Sequence, residues 1–168
     1  MPEKSAPNPE PRATQASAAA SALEPPPGPP GEWLDSLRYR LRVMDVRPCD
    51  AEPSGGFRLG VRVEVAATDQ AGVSPVVASP KAATLEKDGK VFSAQLNPRL
   101  TPACEHPLKL ERLAPGHSAR GVLVFEAPNE SYLRSAVFRF QPPRWGGEAP
   151  ILVTLPDCFG ESCPEPAE

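Results

Sequence analysis

The residues from Phe57 to Val65 alternate without interruption between apolar side chains and polar or small ones. Successive side chains of a β-strand point to opposite faces of a sheet, whereas an α-helix returns to one face every three or four residues. The alternation therefore predicts a strand with one buried face. Its apolar positions are Phe57, Leu59, Val61, Val63 and Val65.

Other segments have the same period. Apolar residues alternate from Leu37 to Val43 and then change parity at Met44, which predicts either a β-bulge or a strand that changes sheet there. Residues 84–87 and 90–93 flank Asp88-Gly89, a dipeptide preferred in the type I′ turn of a hairpin. The continuous apolar run 122–125 predicts a central strand covered on both faces.

Seven or eight such strands, with no amphipathic helix after the N-terminal region, predict an all-β fold. We expect a two-sheet immunoglobulin-like sandwich over residues 36–156. Residues 1–35 include nine prolines between positions 2 and 31 and are predicted to be a disordered Pro/Ala-rich leader. Residues 157–168 form an acidic tail that contains two of the cysteines.

Three motifs resemble a known family. They are Glu86–Phe92, Leu113–Gly116 and Gly121–Pro128. They are similar to bacterial immunoglobulin-like domains of the extracellular immunoprotective-protein superfamily, many of unknown function. The resemblance implies a sandwich on a secreted protein or lipoprotein, behind a low-complexity tether. The chain departs from the family at residues 66–69, where members often have an Asn-rich turn.

The Pro115-Gly116 pair predicts a tight turn, because proline fixes its entry and glycine accepts a positive φ. A β-branched side chain in place of the glycine would oppose that conformation. We therefore expect Gly116→Val to destabilise the domain by more than about 1 kcal/mol, measured as a lower melting midpoint.

The four cysteines fall in predicted loops or in the tail, and an even set of loop cysteines favours disulfides. If the first and last strands are parallel neighbours, Cys49 pairs with Cys158 and Cys104 with Cys163; a local Cys158–Cys163 bond is the alternative. Zinc is a competing hypothesis, but the spacings depart from the usual two close pairs. Free thiols in a cytosolic protein are the third interpretation.

No catalytic motif is present, so we expect no enzyme, cofactor or metal. His106 and His117 are read as solvated loop residues. The sequence has no nucleophile elbow, phosphate-binding loop or zinc-protease motif.

The candidate binding loop lies between the last two predicted strands and contains Arg144, Trp145 and Glu148. Tryptophan and arginine dominate interface hot spots. The alternative is that Trp145 folds back and caps the core; Trp145→Ala would then lower stability and leave binding intact.

An arginine stripe is predicted on the outer faces of the first two strands. Its members are Arg38, Arg40, Arg42, Arg58 and Arg62. Without interleaved exposed aromatics it predicts a solvated face, so no nucleic-acid partner is expected.

These features predict a non-enzymatic binding or structural domain of an exported or envelope-associated protein that has a protein partner. A carbohydrate-binding module is an alternative and would need Trp145 with Tyr132 or Trp33 as a platform, although aromatic residues make up only 6% of the chain. A cytosolic accessory subunit of an enzyme complex is another. No integral membrane segment is predicted; a tethered or peripheral envelope association is expected. The location is extracytoplasmic if an export signal preceded Met1 and was removed, and cytoplasmic otherwise.

Overall fold

The computed structural model describes residues 24–49, 56–72, 75–142, 149–159 and Cys163. Within these ranges the secondary structure is almost entirely strand, with three single-turn 3₁₀ helices. The strands are β1 (Leu34–Asp35), β2 (Tyr39–Pro48), β3 (Phe57–Ala67), β4 (Val76–Ala78), β5 (Ala83–Lys87), β6 (Lys90–Ser93), β7 (Glu111–Leu113), β8 (Ser118–Ala127), β9 (Val137–Phe140) and β10 (Ile151–Thr154).

The strands form two four-stranded antiparallel sheets. The first has the order β1-β2-β3-β8, and the second has the order β10-β9-β5-β6. A separate ladder joins β4 and β7. The predicted all-β sandwich class is confirmed.

β3 supplies the centre of the core, as its alternation predicts. Leu59, Val61, Val63 and Val65 are fully buried. The register of β2 against β3 shifts between Val43 and Asp45, which confirms the bulge predicted at Met44. Leu37 does not belong to the buried set, because β2 begins at Tyr39 and the Leu37 side chain is largely exposed.

The Asp88-Gly89 hairpin is confirmed. Asp88 has φ 51° and Gly89 has φ 79°, so both central residues of the turn adopt the positive φ of type I′. Lys87 and Lys90 form the last cross-strand pair of β5 and β6. The turn at Gly116 is also confirmed: its φ is 84°, and its amide donates to the Ala67 carbonyl oxygen at 3.1 Å.

β8 is buried on both faces, as its apolar run predicts, but it is not central. It is an edge strand of the first sheet, because β3 is its only strand neighbour among the described residues. Residues 122–125 are nevertheless all buried. A segment without regular structure covers the edge and the outer face of β8, and it replaces the neighbouring strand that the sequence analysis expects.

The sandwich begins before Ser36 and ends after Pro156, so the boundaries expected from composition are too narrow. β1 pairs with β2, and the Gly28 amide donates to the Leu152 carbonyl oxygen at 2.9 Å. Phe159 is buried and stacks on Phe57. The predicted disorder of residues 1–23 lies outside the described residues.

Candidate functional site

Residues 95–110 form the covering segment, which runs along the outer edge of β8. Three backbone hydrogen bonds attach it there. The Gln95 amide donates to the Val124 carbonyl oxygen at 2.8 Å, the Leu108 amide donates to the Val122 carbonyl oxygen at 2.9 Å, and the Val122 amide donates to the His106 carbonyl oxygen at 2.9 Å. The covering segment thus satisfies edge groups that an added strand would otherwise pair.

A glycine on β8 allows this close approach. A Cβ atom at Gly121 would lie 2.3 Å from the Leu108 Cα atom and 2.4 Å from its backbone nitrogen. On the neighbouring strand, a Cβ atom at Gly60 would lie 2.5 Å from the Cys104 sulfur. Gly60 lies opposite Val124 on the outer face of the first sheet, whereas Gly121 lies opposite Val63 on the core face, where Leu108 packs.

Cys104 joins the covering segment to the end of β2 through a disulfide with Cys49, with a Cα–Cα distance of 5.4 Å. The bond packs against Val122 and Val124 on the outer face of the first sheet. The second disulfide is the local one, Cys158–Cys163.

The preferred pairing of Cys49 with Cys158 and of Cys104 with Cys163 is therefore wrong. It assumed that the first and last strands are parallel neighbours. The parallel bridge to β10 is made by Gly28, whereas Cys49 follows β2 in the other sheet. The disulfides also contradict the zinc hypothesis and the free-thiol alternative, because all four sulfurs are bonded.

Arg58 fixes the covering segment from below. Its side chain is buried, and Nη2 donates a hydrogen bond to the Arg99 carbonyl oxygen at 2.6 Å. Buried guanidinium groups require such partners. Arg58 is therefore a structural anchor and does not belong to a solvated stripe as the sequence analysis expects.

Between the covering segment and the turn before β5 lies an open groove of about 570 Å³. We call it the leucine groove. Its lining is mainly aliphatic and proline side chains, with lysine as the only charged type. The exposed fractions of Leu96, Leu100 and Leu110 are 53%, 56% and 64%. The remaining lining residues are Ser79, Pro80, Lys81, Asn97, Pro98, Pro107, Leu108 and Lys109.

The exposed leucines set this surface apart from the rest of the described protein. They are three of its six large exposed hydrophobic residues, and they lie within one segment of fifteen positions. Scattered single apolar residues are normal on protein surfaces, but a contiguous apolar groove is typical of an interaction site. The leucine groove is therefore the candidate functional site.

Sequence reasoning missed the groove. The sequence pattern predicts no strand in residues 95–110 and gives their leucines no role. The available signal was Leu96, Leu100, Leu108 and Leu110 in a Pro-rich stretch without strand periodicity. That pattern does not say which leucine is covered: Leu108 is buried, whereas Leu110 is exposed.

The predicted binding residues Arg144, Trp145 and Glu148 lie outside the described residues. The structure describes the two ends of their loop. The hydroxyl of buried Tyr39 lies 2.9 Å from the Phe140 carbonyl oxygen and 2.6 Å from the Ala149 carbonyl oxygen, and the two oxygens share its single proton. One phenol from the first sheet thus fixes both ends of the connection.

The predicted arginine stripe is divided by the structure. Arg38 is buried and donates to the Ala71 carbonyl oxygen at 2.7 Å. Arg40 and Arg42 lie on the ring of Trp33, with their guanidinium carbons 4.8 and 4.7 Å from its centroid. Arg40 also pairs with Asp35 at 2.6 Å. Because these guanidinium groups are already engaged by other groups of the protein, they are poorly placed to bind a polyanion.

Glu64 lies at the centre of this face. Its carboxylate pairs with Arg42 at 2.7 Å and with Arg120 at 3.3 Å. Burial raises the pKa of Glu64, but the hydrogen bonds and charges of the two arginines outweigh burial and hold its pKa below the ordinary value of 4.5. The outer face of the first sheet is thus a network of ion pairs.

The aromatic platform of a carbohydrate-binding module would need Trp145 with Tyr132 or Trp33, and Trp145 lies outside the described residues. Trp33 is covered by the arginines of β2. Tyr132 packs edge-on against Phe92 of the other sheet, with the Lys90 ammonium above its ring. The two rings therefore pack on different sheets.

Both histidines are exposed: His106 lies in the covering segment, and His117 lies in the turn before β8. His106 lies 3.9 Å from Glu105, and His117 precedes Ser118 in the turn before β8. Among the residues with described positions, no three His, Cys, Asp or Glu side chains come together as a metal site would require. Within the same residues, no helix is long and apolar enough to span a bilayer.

No protein-family model matches the chain, and no curated protein matches it. Its fold is similar to that of solved bacterial proteins. A putative lipoprotein from Bacillus subtilis matches with a TM-score of 0.58 and 15% identity over 74% of this chain. A functionally unknown protein from Listeria monocytogenes matches with a TM-score of 0.54 and 10% identity over 74%.

A putative lipoprotein from Staphylococcus aureus has a TM-score of 0.45 and 8% identity over 70% of this chain, which is too low to carry an argument. This chain covers 38% of the Bacillus protein and 81% of the Listeria protein. At these identities the likeness concerns the fold alone. The protein thus has a sheet-rich fold that also occurs in a Bacillus protein described as a putative lipoprotein and in a Listeria protein of unknown function.

Proposed function

We propose that the chain is a non-enzymatic β-sandwich domain of an exported or envelope-associated protein, and that it binds a partner protein through the leucine groove. The carrying observation is this groove, where Leu96, Leu100 and Leu110 are exposed on a rigidly attached segment. Exposed apolar surface of this kind is typical of a protein interface.

Two features support the location. Both disulfides are of the kind that persists in oxidising compartments, and the same fold occurs in the Bacillus protein described as a lipoprotein. The disulfides and the shared fold also support the hypothesis that the domain belongs to the extracellular immunoprotective-protein superfamily. A thiol count on the protein isolated from its native cells, denatured without reductant, tests the location. We expect no reactive thiol; four would place the protein in a reducing compartment.

The binding role is tested by photo-crosslinking in the native cells. A benzophenone amino acid replaces Leu110, and in a matched variant it replaces Leu37, an exposed leucine outside the groove. We expect a discrete protein adduct from position 110 and none from position 37. If no protein adduct forms from position 110, position 37 or the hairpin position 91, the proposal of a protein-binding function is wrong.

A further inference from the structure

Resting on the proposed function, we infer that the leucine groove binds a partner segment in which apolar side chains stand beside carboxylates. The inference combines two properties of the groove. Its lining is mainly apolar, and the charged lining residues are Lys81 and Lys109, here called the rim lysines, without an Asp or Glu among them. A segment that fills the groove therefore meets positive charge at the edges.

The rim lysines differ from the arginines of the sheet faces. Arg40, Arg42 and Arg120 each pair with a carboxylate. Across the ranges that the structure describes, neither Lys81 nor Lys109 has such a partner. These two lysines therefore place positive charge without an ion-pair partner beside an apolar groove. Complementary charge at a rim guides encounter and selects the partner.

The groove also fits a protein segment better than a membrane. It is an open concavity that the exposed leucines help to line. Along the chain it follows β6, whereas Glu24, the first described residue, pairs with Arg139 of β9. β6 and β10 are opposite edges of the second sheet, and β9 lies next to β10. A domain held through its N-terminal side would thus leave the groove open to a partner.

The test uses the full chain with its disulfides intact. A phage-displayed library of random dodecapeptides is selected against it, and the enriched peptide is synthesised with a fluorescent label for anisotropy titration. We expect enriched sequences with two or more large apolar residues and at least one Asp or Glu. Leu100→Ser should weaken binding about tenfold or more, because it removes an anchor from the groove.

The rim is tested by charge reversal. The Lys81→Glu/Lys109→Glu variant should bind the same peptide with about tenfold lower affinity, and this binding should depend less on salt. A peptide with Lys in place of its acidic residues should then bind this variant better than wild type. Controls are Leu37→Ser and Lys109→Arg, which should bind like wild type. All substituted residues are exposed, and melting midpoints verify that each variant is folded.

Several outcomes would overturn the inference. One is enrichment of peptides without carboxylates, and another is binding that survives both Leu100→Ser and the charge reversal. Binding to phosphatidylglycerol-containing vesicles that Leu100→Ser abolishes would assign the groove to a membrane. A dimer in sedimentation that the same variant dissociates would assign it to a second copy. If no peptide is enriched but position 110 gives a protein adduct, the partner chemistry is wrong while the proposed function stands.

Discussion

Two glycines of the first sheet decide how closely the covering segment can approach. Gly121 leaves room for the Leu108 backbone, and Gly60 leaves room for the Cys104 sulfur. These two positions are glycine for a packing reason. Gly116 is glycine for a different reason: its φ is 84°, as its turn requires, and no heavy atom lies near the position a Cβ atom would take.

Gly121→Ala should destabilise the protein by about 2 kcal/mol, because the new methyl group displaces backbone and cannot be accommodated by a flexible side chain. The urea midpoint measures the loss. Gly56→Ala is the matched control, since its Cβ would meet no heavy atom closer than 3.7 Å; its stability should stay within about 1 kcal/mol of wild type. Equal midpoints for the two variants would contradict the contact of Leu108 with β8.

Glu64→Gln should make stability less dependent on pH. The pKa of Glu64 is lowered in the folded protein. Its carboxylate therefore stabilises the fold at pH values above 4.5, the ordinary pKa, and this stabilisation is lost as pH falls through the folded-state pKa. The variant should therefore melt lower than wild type at pH 7, by a margin that narrows below about pH 4.5. Melting curves over this range, with exposed Glu86→Gln as control, measure it; a constant margin would contradict the ion-pair network.

At the scale of elements, β8 depends on a segment that is not a strand. Its edge is satisfied by hydrogen bonds from Gln95 and Leu108, and its outer face is covered by the Cys49–Cys104 disulfide. Arg58 adds a buried hydrogen bond to the same segment. The shape of the leucine groove follows from this attachment, because its exposed leucines belong to the segment that β8 holds in place.

Removing the long-range disulfide should cost more stability than removing the local one. The bonds join cysteines 55 and 5 positions apart. Loop entropy then predicts losses of about 4 kcal/mol for Cys49→Ala/Cys104→Ala and about 2 kcal/mol for Cys158→Ala/Cys163→Ala. Urea denaturation of both variants measures the difference. An equal loss, or a larger one for the local bond, would argue against the Cys49–Cys104 pairing.

In the whole molecule, Tyr39 links the two sheets near one end of the sandwich. It is fully buried on β2, and its hydroxyl reaches carbonyl oxygens at the end of β9 and just before β10. At this side, residues 24–35 also pass from β10 to β2: Gly28 bonds with Leu152, and the Gly31 amide donates to the Val43 carbonyl oxygen. The leucine groove lies toward the other edge of the second sheet.

Tyr39→Phe should destabilise the protein by about 1–2 kcal/mol, because it removes the donor from carbonyl groups packed against the buried ring. Tyr132→Phe keeps a ring that packs on Phe92 at the surface and should stay within about 0.5 kcal/mol of wild type. Urea midpoints of the two variants give the comparison. If Tyr39→Phe were as stable as Tyr132→Phe, the hydroxyl would not hold the sheets together.

The sequence by itself determined the strands, because period-two alternation and turn chemistry are local. The buried parity of β3, the bulge at Met44, the Asp88-Gly89 hairpin and the Gly116 turn all follow from residues within a few positions of one another. The all-β class follows from their sum. A buried run such as 122–125 indicates cover on both faces, but it does not say what provides the cover.

Only the tertiary structure decided the pairing of the cysteines, the edge position of β8 and the leucine groove. Each depends on which segments of distant sequence become neighbours. Cys104 meets Cys49 because the covering segment lies on β8, and Arg58 is buried because that segment passes above it. Leu108, whose amide donates to β8, is buried, whereas Leu100 and Leu110 of the same segment stay exposed.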